Sequence, residues 1–216
     1  MTSNQQEPDI TILSRGRYVS VEGPFIETCA QETCPDVSSD MRHNRVKRDG
    51  LNHHHLTFIN PFELKTAGER LQAKKKVASR IIEHITSHHG VADTWNPPMD
   101  LGVGRIISKD DAVTIYKVIH WPAGQEIRRS LGLQPAFLHV TIGFAPTDVH
   151  DYKGPGSLDT LTGRAPCSDA AIDLLTYLVP YYSRDVIFLR RLAFQCWKKG
   201  YYRYLIYVLF KYLTGE

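Results

Sequence analysis

The sequence predicts an α+β protein in which two pseudo-symmetric strand-helix-strand lobes, with largely antiparallel sheets, surround a central cleft and are followed by a C-terminal helical extension. Short runs alternating apolar and polar residues recur through the middle of the chain: HLTFI at 55–59, LGVGRIIS at 101–108, AVTIYKVI at 112–119 and FLHVTIGF at 137–144. That period of two marks half-buried strands. The segments between them carry helical spacing bounded by start and stop residues. From Ser168 onward the apolar residues recur only at three- and four-residue intervals, which marks helices alone.

Taken in order, residues 1–16 are polar and predict a flexible lead-in, and 17–21 a short strand ending at Gly23-Pro24. Residues 29–50 read as a loop with a positive rim formed by Arg42, His43, Arg45, Lys47 and Arg48. Thr66 and Glu69 have capping-box spacing, and Ala67, Leu71, Ala78, Ile81, Ile82 and Ile85 predict one helix from there to about His89, stopped by Gly90. Pro97-Pro98 must be loop. Lys109-Asp110-Asp111 is a tight connection between two strands, and Pro122 and Gly132 bracket a short helix. Pro146 ends the strand at 137–144; residues 145–167 read as loop, and Pro180 and Gly200 divide the tail into three helices. The domains expected are the lead-in, a bilobal unit at 17–167 and a helical extension at 168–216.

Composition bounds the function classes. The 216 residues are 42% apolar and 23% charged, which excludes a disordered or fibrous chain. Twenty-six Lys and Arg against 23 Asp and Glu leave +3, too little to identify a nucleic-acid binder, so any basic footprint is local. The four cysteines (29, 34, 167 and 196) form no C-x-x-C pair, which fits a reducing, intracellular setting. The start, MTSNQQEPD, has no signal-peptide pattern, and the longest strongly apolar stretch, 204–210, falls short of the roughly twenty residues a membrane helix needs. No membrane association is expected.

His-x-Thr occurs three times, a spacing that ten histidines produce about once by chance. His84-Ile85-Thr86 falls in a helix, where residues i and i+2 diverge. His55-Leu56-Thr57 and His139-Val140-Thr141 fall on strands, where the same spacing sends His and Thr to one face and the apolar neighbours to the other. Two histidines facing a phosphodiester can act as base and acid near neutral pH, since an unperturbed imidazole titrates near 6.5. Thr57 and Thr141 can donate to the non-bridging oxygens. No metal or other cofactor is called for. The run His53-His54-His55 is a poor metal site, because adjacent strand residues point to opposite faces.

Two strand-borne His-x-Thr units 84 residues apart resemble the two-histidine (2H) phosphoesterase superfamily, in which each lobe gives one motif to a shared cleft. The segment FLHVTIGF is the nearest match. LGVGRI, WPAGQEIRRSLGL and TDVHDYKG resemble the 2H domain of the "Swiss Army Knife" class of RNA-repair proteins. The resemblance covers roughly 17–145. It implies a metal-independent hydrolase acting on 2′,3′-cyclic phosphates of nucleotides or RNA ends, in RNA repair or processing, with His55, Thr57, His139 and Thr141 catalytic.

Around these residues, His150, Lys153 and Arg45 are candidate phosphate contacts, and Tyr18, Tyr116 and Trp121 candidate partners for a stacked base. The alternative is a catalytically inactive nucleotide- or RNA-binding module whose helical tail docks a protein partner.

Overall fold

The computed structural model describes residues 9–31, 34 and 36–215. Its elements, in chain order, are β1 (Thr11–Ser14), β2 (Val19–Glu22), α1 (Pro24–Gln31), α2 (Ser39–Asp49), β3 (Leu56–Ile59), α3 (Pro61–Arg70), α4 (Val77–His89), β4 (Met99–Ile107), β5 (Val113–His120), α5 (Pro122–Ser130), β6 (Leu138–Ala145), α6 (Asp159–Thr162), α7 (Asp169–Tyr177), α8 (Val186–Lys198) and α9 (Tyr202–Thr214). The strands form one sheet ordered β1-β2-β3-β6-β5-β4, every neighbouring pair antiparallel. The sheet divides into β1-β2-β3 and β6-β5-β4, which join through β3 and β6; the strand at 101–108, read as the partner of 55–59 in the first lobe, lies instead in the second half beside β5.

Alternation decides what each face buries. Val19, Val21, Leu56, Phe58, Leu138 and Val140 point into a core closed by α1, α3, α4 and α5. Farther along the sheet, Tyr116 and Val118 pack under Leu161, Leu175, Leu189 and Val208 of the C-terminal helices. Between these lies a smaller cluster in which Met41 of α2 meets Ile115 and Ile142. Gly143 makes that contact: a Cβ there would stand 2.9 Å from the Met41 backbone, so only glycine lets α2 rest directly on β6.

Three expectations are corrected. The lead-in is not wholly loose, since 11–14 pair with β2, whereas residues 1–8 lie outside the described residues. The 29–50 segment is largely helical. Its second helix, α2, is capped by Ser38, whose hydroxyl accepts from the Met41 N–H, and by Gly50 in the left-handed region at φ 66°. The expected capping box at Thr66 sits inside α3. Asn60 and Glu63 form the box instead, because Pro61 starts the helix earlier, and the helix spacing read as continuous breaks between Arg70 and Val77. Among the described residues no helix is long and apolar enough to cross a membrane.

Candidate active site

The register sets the site. Leu56 of β3 stands opposite Val140 of β6. In an antiparallel pair, one step to either side places His55 opposite Thr141 and Thr57 opposite His139. All four lie on the face away from Leu56 and Val140, both wholly buried. Directly opposed side chains have Cβ atoms about 4.5–5.5 Å apart and diagonal ones about 7–8 Å. The two imidazoles occupy one diagonal of this square and the two hydroxyls the other.

The rings differ in how they are held. His139 Nδ1 lies 3.0 Å from the Phe137 carbonyl oxygen. A carbonyl only accepts, so Nδ1 carries the hydrogen and Nε2 of the neutral ring presents its lone pair. Burial, reinforced by the Lys153 ammonium, pushes the His139 pKa down to about 4. His55 rests against Tyr18, ring centres 5.4 Å apart, with Nδ1 3.9 Å from Oδ2 of Asp49. Burial also lowers its pKa, but the Asp49 carboxylate opposes that shift. The leading charged influence on His139 is thus a cation, and that on His55 an anion.

A chain of charges connects these neighbours. Arg48 Nε donates to Asp49 Oδ1 at 2.7 Å, and its Nη1 pairs with Asp148. Asp148 also accepts from the Thr114 hydroxyl at 2.9 Å and from Lys153 Nζ at 3.1 Å. Burial alone would raise the Asp148 pKa, but Lys153, Arg48 and these hydrogen bonds outweigh it and hold it below the usual carboxylate value. Lys153 itself is buried, 5.5 Å from the centre of the Tyr116 ring. Beside the square, Ser20 and Arg15 donate to Glu22, which also lies 2.8 Å from His53 Nε2.

The other expected contacts divide. His150 is 80% exposed and 3.7 Å from Asp148, at the mouth. Arg45 is a correction. α2 turns it inward, where Nη1 donates to the carbonyls of Leu51 (3.1 Å) and His53 (2.7 Å) and Nη2 to that of Asn52 (2.9 Å). Buried on these carbonyls, it shapes the segment leading to His55. Arg45→Met should therefore cost roughly 3 kcal/mol, since each buried acceptor left without its donor costs about 1–3 kcal/mol. A fall in thermal midpoint with KM nearly unchanged is the expected result; a raised KM at unchanged stability would restore Arg45 as a ligand contact.

Trp121 is likewise corrected as a stacking partner, because it is 1% exposed and packs on Phe58 and Trp95. Tyr116 is fully buried, its ring edge toward His139, whereas Tyr18 keeps a partly open face beside His55. Arg48, Asp49 and Asp148 were not singled out as site residues by sequence, although Arg48 stood in the basic rim and Asp148 within TDVHDYKG. Among the described residues no group of three or more His, Cys, Asp or Glu side chains is placed to hold a metal ion.

Comparison with known families matches residues 17–150, more than half of the chain, to the family model described as Swiss Army Knife, 2H phosphoesterase domain. The match contains both strand-borne motifs and stops before α6. No curated protein and no solved structure matches the chain.

Proposed function

The chain belongs to the 2H phosphoesterase family, in its Swiss Army Knife class, and from that premise we propose that it hydrolyses 2′,3′-cyclic phosphates of nucleotides or RNA ends without a metal, in RNA repair or processing. The observation that carries this reading is the square of two imidazoles and two hydroxyls placed by the pairing of β3 with β6. The different surroundings of the histidines support distinct roles for them. His139 Nε2, unprotonated because Nδ1–H is committed to the Phe137 carbonyl, takes a proton from water as its oxygen bonds to phosphorus. His55, whose pKa burial lowers and the Asp49 carboxylate partly restores, gives a proton to the ribose oxygen as that P–O bond breaks, leaving a phosphomonoester.

Thr57 and Thr141 donate to the non-bridging oxygens, where charge accumulates. The Arg48 guanidinium, partly exposed and already oriented by Asp49 and Asp148, lends positive charge at the rim. A product assay on 2′,3′-cyclic nucleotides and on cyclic-phosphate-ended RNA tests the reading, with turnover expected to persist in excess EDTA. Nucleotide binding without turnover by the folded protein would select the inactive-module alternative, and activity lost to EDTA and restored by zinc or manganese would replace this mechanism with a metal-assisted one.

The pH dependence follows from the same assignment. The base works only when deprotonated, so kcat/KM should rise as pH passes up through the His139 pKa of about 4. The acid works only when protonated, so it should fall as pH passes up through the His55 pKa, itself below the ordinary 6.5. The kcat/KM profile of the free protein is therefore a bell on the acid side of neutrality, its limbs belonging to the coupled pair. The kcat profile lies higher, because bound phosphate favours both imidazolium forms. Rates measured from pH 3.5 to 9 check this; His139→Ala should remove the acid limb and His55→Ala the alkaline one, and a flat wild-type profile would end the acid–base reading.

A further inference from the structure

The face that carries the histidine pair continues past it into a cavity of about 530 Å³ that the reaction as derived does not use. Val118 stands opposite His139 and Ile119 opposite Leu138, so the next row along the same strands sets His120 opposite Phe137, on the His139 face. Two residues of strand are about 6.6 Å, which puts this row one side-chain step from the catalytic imidazole. The opposite wall comes from the helical extension. Tyr182 places its hydroxyl 3.0 Å from His120 Nδ1, and Tyr181 stands edge-on to the His120 ring at 4.8 Å between centres.

The cavity's chemistry is aromatic within and charged at the lip. Phe137 and Tyr181 are 41% and 55% exposed, an unusual surplus of ring surface in a concave site that also receives Arg129, Arg184 and Glu126. Flat apolar rings beside guanidinium donors and a carboxylate acceptor suit a nucleobase, whose faces stack and whose edges both donate and accept. A volume of about 530 Å³ is within the range of about 300–1,000 Å³ typical of small-ligand pockets.

We propose that this cavity is the base subsite, which receives the unpaired base of the nucleotide whose phosphate lies between His55 and His139. The inference rests on the phosphodiesterase reading and deepens it by giving the base of the nucleotide or single-stranded end its own place in the site. It also gives the extension a task. Residues 180–185 lie beyond the family match at 17–150, so the second wall comes from outside the matched domain.

The test compares adenosine 2′,3′-cyclic phosphate with 1-O-methylribose 2′,3′-cyclic phosphate, which has no base, on wild type, Tyr181→Ala and Tyr181→Phe. Tyr181→Ala should lower the ratio of kcat/KM for the adenosine substrate over the base-free one by about 5- to 100-fold, the worth of one stacked base. Tyr181→Phe should keep it. In parallel, calorimetry of adenosine 3′-monophosphate and ribose 3-phosphate reads the subsite independently of turnover. An unchanged ratio, or equal losses on both substrates, would overturn the subsite. Absence of turnover on both substrates, with binding that still depends on the base and on Tyr181, would retain the subsite and reject the catalytic reading.

Discussion

Replacing either His55 or His139 with alanine should lower kcat/KM on a 2′,3′-cyclic nucleotide by about 10²- to 10⁴-fold, the usual contribution of one general acid or base. Both rings lie on the face opposite Leu56 and Val140, outside the apolar cluster those two residues join, so the folded state should survive and thermal melting provides the control. The two losses should not multiply. Once the base is gone, the acid serves a transition state that no longer forms by the same route, and the double variant should fall little below the worse single one. A soluble, folded single variant with wild-type turnover would remove the mechanism.

The hydroxyls come next in size. Thr57→Val and Thr141→Val keep the shape and β-branching of the side chain while deleting one donor each, and should cost about 10- to 10³-fold, the range seen on removing a single oxyanion donor. The loss should appear mostly in kcat, because the non-bridging oxygens gain charge on the way to the transition state. Each hydroxyl stands across the strand pair from the opposite motif's histidine, Thr57 beside His139 and Thr141 beside His55, as the Leu56–Val140 register sets them. Coupling between Thr57→Val and His139→Ala should accordingly exceed that between Thr57→Val and His55→Ala. Equal coupling in the two double-mutant cycles would contradict that placement.

Legibility in the sequence followed the number of buried faces. β5 and β6 were plain because nearly every residue in each is buried, on both faces, so apolar residues run through them, and the His-x-Thr pairs were plain because strand geometry sends both polar side chains to one face. β1 was hidden: TILS has only β2 as a strand partner and keeps its other edge open, so little in its composition marks it. α2 was hidden for a related reason. Of its eleven residues only Met41 and Arg45 are buried, so no apolar stripe announces a helix, and its stability comes from Ser38, Gly50 and the seat on Gly143. With α2 invisible, Arg48 and Asp49 read as solvated charge. The pairing of β3 with β6 was also beyond local pattern, since register between distant strands is a property of the assembled sheet.

That pairing sets when the protein can first work as well as how. Leu56 and Val140 are joined across 84 residues of chain, and the four side chains proposed to react belong to that one long-range contact. A growing or partly unfolded chain that already holds β1, β2 and β3 owns half a site and has no activity. Closure of a loop this long is the slow, entropically costly kind of event that comes after local structure. Turnover is therefore a reporter of completed folding: during refolding, the return of activity should track the closing of the sheet, lagging the return of helical signal from α7, α8 and α9, whose contacts are close in sequence.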